Sequence, residues 1–224
     1  MSNNIEIRHI RSLEEFESLQ NQWDELFKAC SKQTVFLTWE WLTAWWKHWQ
    51  PGKELWLLTA WSEGKLVGAA PLMKTMVRKY GLKYRLIHSL GAPNTDESDF
   101  FTRGADTEIL RTFCDYLQSQ RSQWDALELN EFHLENPTAK FIEDYFVAKG
   151  FIARTKLNTH YHIPIAETWD GYWKKLSKNL RHNIERRLRR VQENHQLSFQ
   201  VIEGRDATWE NFEEILYEGY GPHG

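Results

Sequence analysis

Between Leu55 and Met73 the sequence reads Leu-Trp-Leu-Leu-Thr-Ala-Trp, then Ser-Glu-Gly-Lys, then Leu-Val-Gly-Ala-Ala-Pro-Leu-Met. Two apolar, β-prone runs around a short glycine-containing turn predict a hairpin of adjacent antiparallel strands. Pro71 has no N–H to give to a ladder, so it places a break or an edge in the second strand. Tyr84 to Leu90 reads as a further strand, ended by Gly91-Ala-Pro-Asn. A partly antiparallel sheet is therefore the frame onto which everything else must pack.

The flanking segments supply helices. Ile5 to Ile10 alternates as a short strand, and Ser12 with Glu15 three residues later forms a capping-box pattern ahead of a helix running to Cys30. In Phe36 to Trp49, Thr38 is a candidate N-cap. Trp41, Trp45 and Trp49 share one helical face, Trp39, Leu42 and Trp46 another, and Pro51-Gly52 stops the helix. Exposed tryptophans of this kind can stack on sugars or bases, but burial in a two-layer core is the commoner use. Ala105 to Arg121 reads as a helix, Trp124 to Leu129 as a strand, and Thr138 to Lys149 as a helix closed by Gly150. Tyr161 to Ile165 and Leu197 to Glu203 read as strands, and Thr208 to Tyr217 begins a last helix. The expected fold class is mixed α/β (α+β) around one partly antiparallel sheet flanked by helices. The expected domains are 1–162, then 163–224 as the start of an incomplete second unit.

Composition bounds the function classes. Hydrophobic residues make up 41% and aromatics 14% of 224 residues, enough to bury a core. The net charge of −3 argues against a protein built as a whole for polyanions. Cys30 and Cys114 fit no metal or redox spacing and read as reduced thiols of a cytoplasmic protein. The first residues carry neither a basic n-region nor an apolar run, and no apolar run approaches the ~18 residues of a membrane span. His160 and His162 share a strand face without further ligands, so they read as structural.

Two stretches carry possible chemistry. Trp169 to Val191 reads as one basic helix capped by Asp170. Tyr172, Leu176, Leu180, Ile184, Leu188 and Val191 draw an apolar stripe for burial, beside Lys174, Lys175, Lys178, Arg181, Arg186, Arg187, Arg189 and Arg190. Ser177, Arg181, Glu185 and Arg189 line up next to that stripe. The other stretch is Asn94 to Phe101, where Asp96, Glu97 and Asp99 fall within four residues. They form either a solvated turn or carboxylates at the mouth of a site.

The Trp-rich helix, the Gly64-Lys-Leu-Val-Gly-Ala-Ala-Pro-Leu hairpin, Leu90-Gly-Ala-Pro leading to Ser98-Asp99-Phe100, and Leu176-Ser177-Lys-Asn-Leu-Arg181 resemble one family. The chain is similar to the GNAT-type acetyltransferases of the cellulose-biosynthesis CelD group, relatives of the FemAB aminoacyl transferases, with its second half truncated. The resemblance implies two GNAT-like units and acyl transfer from acetyl-CoA or another acyl-CoA, with no metal. The acceptor would be an amine, possibly of a sugar or cell-envelope precursor. It places Asp99, Ser177 and Arg181 at the substrate. The family's pyrophosphate loop, Arg/Gln-x-x-Gly-x-Gly/Ala opening a helix, is not found. Gly219-Tyr-Gly221 has the glycine spacing, but Leu216 stands where Arg or Gln belongs. The competing reading is a non-catalytic binding module whose basic helix 172–191 meets nucleic acid or an anionic membrane surface.

Overall fold

The computed structural model describes residues 5–133, 135–159, 163–164 and 166–195. The chain divides into two units, Met1–Thr159 and His160–Gly224. The first unit contains strand β1 (Glu6–Ile10), helices α1 (Leu13–Glu17), α2 (Gln20–Ala29) and α3 (Trp39–Trp49), and strands β2 (Lys53–Leu55), β3 (Leu57–Ser62), β4 (Lys65–Ala70), β5 (Leu72–Lys79), β6 (Leu82–Ser89) and β7 (Phe101–Thr102). Helix α4 (Thr107–Ser119), strand β8 (Ala126–Glu128) and helix α5 (Pro137–Ala148) complete it.

The fold is mixed α/β, with helices flanking largely antiparallel strands, but the expected single sheet is two. One has the order β1-β3-β4-β7 and the other β2-β5-β6-β8. The physical reason lies in the hairpin. Its first arm is interrupted at Trp56 and its second at Pro71, which has no amide hydrogen for the ladder. β3 pairs with β4 on one side of the interruption and β2 with β5 on the other. The Trp56 amide still donates to the Leu72 carbonyl at 3.0 Å, and the Leu90 amide to the Pro71 carbonyl at 2.9 Å. The hairpin thus passes through both sheets and changes partners at this seam. The expected strand 66–73 is accordingly two strands, and β5 runs on through the polar residues to Lys79 before turning at Tyr80-Gly81.

Leu57 to Trp61 are all buried because successive side chains enter opposite layers. Leu57 and Trp61 join the cluster of Phe16, Trp23, Leu26, Leu42, Trp45 and Trp46. Leu58 and Ala60 join Ile109, Phe113, Leu117, Trp124 and Phe146. The tryptophans are therefore core first. Trp23 is fully buried with its Nε1 donating to the Leu37 carbonyl at 2.9 Å, and Trp124 reaches the Leu117 carbonyl at 2.9 Å. Trp45 and Trp46 are buried, while Trp49 at the helix end is 52% exposed.

Local signals place the helix ends. Ser12 and Glu15 form the expected capping box. Thr38 caps α3 by accepting from the Trp41 amide. α4 starts at Thr107 rather than Ala105, because the Asp106 carboxylate accepts from the Glu108 amide and fixes the start there. α5 is capped by Asn136 with Pro137 at its first position, one residue earlier than expected.

In the second unit the single helix expected over 169–191 is two, α6 (Trp169–Lys175) and α7 (Lys178–Asn194). Ser177 is the cause. Its hydroxyl accepts from the Leu180 amide at 3.2 Å, so the backbone at Leu176 and Ser177 is extended and a new helix starts. Thr168, not Asp170, caps α6, accepting from the Gly171 amide at 3.1 Å. Among the described residues no side chain of α6 or α7 is buried. The apolar stripe expected to be covered is open: Leu180, Ile184, Leu188 and Val191 are 46%, 37%, 50% and 39% exposed. The segments 161–165, 197–203 and 208–217, read as strand, strand and helix, lie wholly or largely outside the described residues, as do His160 and His162.

Candidate functional site

β6 and β8 pair in parallel, from Leu86 with Ala126 to His88 with Glu128, while every other pairing in the two sheets is antiparallel. Beyond the carboxyl ends of two parallel strands the chains leave in separate directions and open a crevice. A connected polar cluster fills this place. Ser89 sits at the end of β6, where its Oγ receives the Asn130 amide at 3.1 Å and donates to the Asn130 carbonyl at 3.3 Å. The Ser98 amide donates to the Glu131 carbonyl at 2.9 Å. Asn136 Nδ2 donates to Asp99 Oδ2 at 2.8 Å, while its Oδ1 receives the Thr138 amide at 2.8 Å. Asn136 thus caps α5 and anchors Asp99 with the same amide group.

The loop carrying Asp99 is clamped from α3. Trp41 Nε1 donates to Thr95 Oγ1 at 3.4 Å and Trp45 Nε1 to Asn94 Oδ1 at 3.2 Å. Gly91, at φ +98°, lets the chain turn in under Thr95: a Cβ there would stand 2.1 Å from Thr95 Oγ1. The acidic stretch splits by environment. Asp96 is exposed and Glu97 half-buried, as a solvated turn requires, but Asp99 is only 6% exposed. Burial pushes the Asp99 carboxyl above the usual carboxylate range, opposed by hydrogen bonds from Asn136, the Thr138 side chain and the Phe100 backbone and by the Lys32 charge.

Three buried polar atoms around this cluster have no hydrogen-bond partner: Asp99 Oδ1, Asn130 Oδ1 and Lys32 Nζ. Lys32 acts electrostatically on Asp99 without bonding to it. Asp99 Oδ1, Asn130 Oδ1 and Lys32 Nζ thus each keep unused hydrogen-bonding capacity in a buried setting. The nearby Cys30 thiol, directed at the Thr102 carbonyl at 3.4 Å, is pushed up to about 11 by burial, and Cys114 to about 12. Both are protonated at neutral pH and lack the thiolate a nucleophile needs.

Sequence reasoning singled out Asp99 but missed Lys32, Asn130 and Asn136. Asn136 carried one legible signal, Asn before Pro at a helix start; the other two carried none. Ser177 and Arg181 belong to the second unit. The Ser177 hydroxyl oxygen is engaged in capping α7, and Arg181, half-exposed, donates its amide to the Ser177 carbonyl at 3.0 Å. Among the described residues no group of three or more His, Cys, Asp or Glu could hold a metal, and no helix is long and apolar enough to cross a membrane.

The pyrophosphate of an acyl-CoA would need free backbone N–H groups at a helix start. The described helix that follows β7 through a glycine turn is α4, and there the Asp106 carboxylate already occupies the first turn at 2.8 Å from the Glu108 amide. The negative charge of Asp106 disfavours a second anion at that position. Gly219-Tyr-Gly221 lies outside the described residues.

No family model matches the chain and no curated protein matches it. Among solved structures, the chain is similar to a ribosomal-protein-alanine N-acetyltransferase from Brucella melitensis biovar Abortus 2308, at 16% identity over 73% of this chain and 100% of that one, with a TM-score of 0.42. It is also similar to a GNAT family acetyltransferase of Staphylococcus aureus subsp. aureus USA300_TCH1516, at 18% identity over 70% and 98% with a TM-score of 0.41. A third is glucosamine-6-phosphate N-acetyltransferase from Arabidopsis thaliana, at 11% over 70% and 98% with a TM-score of 0.43.

Proposed function

We propose that the protein is an acyltransferase acting on an amine, and that the crevice beyond β6 and β8 takes the acceptor. The observation that carries this reading is the Asp99 carboxyl, held by Asn136 through one oxygen and left unpartnered at the other, in a buried place beside a cation. The resemblance described above supplies the reaction class. As the nitrogen of a neutral amine bonds to the acyl carbon, the C–S bond to CoA breaks, the nitrogen loses a proton and the CoA sulfur leaves as a thiolate that takes up a proton to become the free thiol. A buried carboxyl with a raised pKa is matched to receive that proton. Asp99 Oδ1 accepts a hydrogen bond from the amine and takes the proton. Asn136 keeps the carboxyl oriented, and Asn130 Oδ1 accepts a second N–H. Lys32 offers a donor for a substrate oxygen. Arg181 of the second unit is assigned to an anionic part of a substrate, and Ser177 to a substrate polar group through its hydroxyl. The donor is acyl-CoA in this reading, and the acceptor a small amine such as an amino sugar.

The test is thiol release from acetyl-CoA in the presence of glucosamine or Nα-acetyl-lysine, with isothermal titration of acetyl-CoA alongside. Asp99→Asn is expected to lower turnover by on the order of a hundredfold or more, the range for loss of a proton acceptor. Turnover by Asp99→Asn at the wild-type rate, or no heat from acetyl-CoA at millimolar concentration, would refute the reading.

A further inference from the structure

Helix α7 carries an open apolar stripe that the acyl-transfer chemistry does not use. Leu180, Ile184, Leu188 and Val191 stand four, four and three residues apart, so they share one face. Each is between 37% and 50% exposed. At 17 residues the helix is about 25 Å long.

Charge is arranged around that stripe. α7 holds six Lys and Arg against two acids, Glu185 and Glu193. By helical position, Arg187 and Arg190 border the stripe on one side and Lys178 and Arg181 on the other. Glu193 falls on the opposite face, with Arg186 and Arg189. Arg181 is half-exposed and the other five cations are exposed. Among the described residues none of the six is in an ion pair. α6, just ahead, adds Trp169, 67% exposed, its ring 5.6 Å from those of Tyr172 and Trp173.

Each class of occupant satisfies a different part of this face. A nucleic acid would neutralise the cations but leave the apolar stripe in water. A second copy would cover the stripe but bring two rows of unpaired arginines together. An anionic lipid surface satisfies both. Its acyl boundary takes the stripe, and its headgroups take the flanking cations. Tryptophan and tyrosine rings are at home at the same boundary. Arg186, Arg189 and Glu193 keep the back of the helix in water, so it lies in the plane of the surface.

We infer that α7 is a docking face for an anionic membrane surface. Leu180, Ile184, Leu188 and Val191 turn into the lipid, and Lys178, Arg187 and Arg190 lie on its headgroups. The inference uses no residue of the first unit and does not depend on the reading given to Asp99.

In the full chain, Leu188→Cys is labelled with an environment-sensitive dye; Cys30 and Cys114 are buried and leave the new thiol to react. The labelled protein is mixed with vesicles of phosphatidylcholine containing about a third phosphatidylserine, and with phosphatidylcholine alone. The emission is expected to shift to the blue saturably with the anionic vesicles, and to return as salt rises from about 0.05 to 0.5 M. The same dye on Glu193→Cys is expected to stay water-like. Unlabelled protein should sediment with the anionic vesicles. Ile184→Ser with Leu188→Ser should weaken that binding roughly twentyfold, the worth of half-burying two such side chains. Arg187→Gln with Arg190→Gln should weaken it by roughly tenfold or more. All four side chains are exposed, and far-UV circular dichroism checks that the helix persists. Asp99→Asn should bind vesicles as the wild type does. No sedimentation with anionic vesicles at low salt, or an equal response from the dye at 188 and at 193, would overturn the inference. So would a dye at 188 already blue-shifted without vesicles, which would mean that the chain covers its own stripe. Self-association abolished by the serine pair, or duplex DNA binding indifferent to it, in a protein that ignores vesicles would overturn it in favour of a second copy or a nucleic acid.

Discussion

Gly68→Ala probes how α4 sits on the first sheet. Gly68 lies in β4 without a positive φ, so the strand itself would accept alanine and gain from it. The obstacle is space. A Cβ would stand 2.7 Å from Ile109 Cγ2 and 3.3 and 3.4 Å from two ring atoms of Phe113. Ile109 and Phe113 are 3% and 0% exposed. The isoleucine methyl belongs to a β-branched side chain in a helix, which has one strongly preferred χ1. It cannot swing aside, so α4 must lift from the sheet. Overpacking of this kind costs about 1–3 kcal/mol. With a urea m-value of about 2 kcal/mol/M, the unfolding midpoint should fall by roughly 0.5–1.5 M. Ile109→Ala removes the clashing methyl and by itself costs about 2–5 kcal/mol. In that background the closest clash is gone and only the tight contacts with Phe113 remain, so Gly68→Ala should cost clearly less, giving a coupling energy of about 1 kcal/mol. A Gly68→Ala protein within about 0.3 kcal/mol of the wild type, or two mutations that simply add, would show that the contact does not control this interface.

Two further outcomes follow from the same structure. His88, half-buried and facing the Lys53 charge, has its pKa brought down to about 4 by desolvation and that charge, and His9 is brought down likewise. A base depressed on folding contributes stability above its unfolded pKa of about 6.5, and that stability is lost as pH falls toward 4. His88→Gln should therefore flatten the decline of the urea midpoint between pH 6.5 and 4; an unchanged slope would mean that His88 is not the group titrating there. Ser177→Ala removes the N-cap of α7 and should cost that helix about 1 kcal/mol, read as reduced helicity by far-UV circular dichroism; full helicity in the variant would show that the cap does not set the helix start.

Much of the fold was legible because it rests on local rules. The capping box at Ser12 and Glu15, the cap at Thr38 and the stop at Pro51-Gly52 involve neighbours within four residues, so spacing alone reveals them. The candidate site was legible in only one residue. Asp99 stood out as a carboxylate after a strand, but its partner Asn136 is 37 positions away, and Lys32 sits in a polar stretch that resembles any surface loop. The basic helix shows the reverse limit. Its periodicity read correctly as helical, yet period says nothing about whether a stripe is covered, and Leu180, Ile184, Leu188 and Val191 are open.

The sequence by itself determined the kinds of element and the presence of an antiparallel hairpin, because backbone propensity and side-chain period act within a few residues. Pro71 announced a break in that hairpin, since the missing N–H is a property of the residue. Only the tertiary structure decided what the break did: the chain changes partners there, and one sheet becomes two. The same holds for Asp99, whose raised pKa and unpartnered oxygen arise from burial among groups brought together by α3, α5 and the parallel pair. Desolvation and hydrogen-bond satisfaction depend on what surrounds an atom in space, and that is fixed only when distant segments pack.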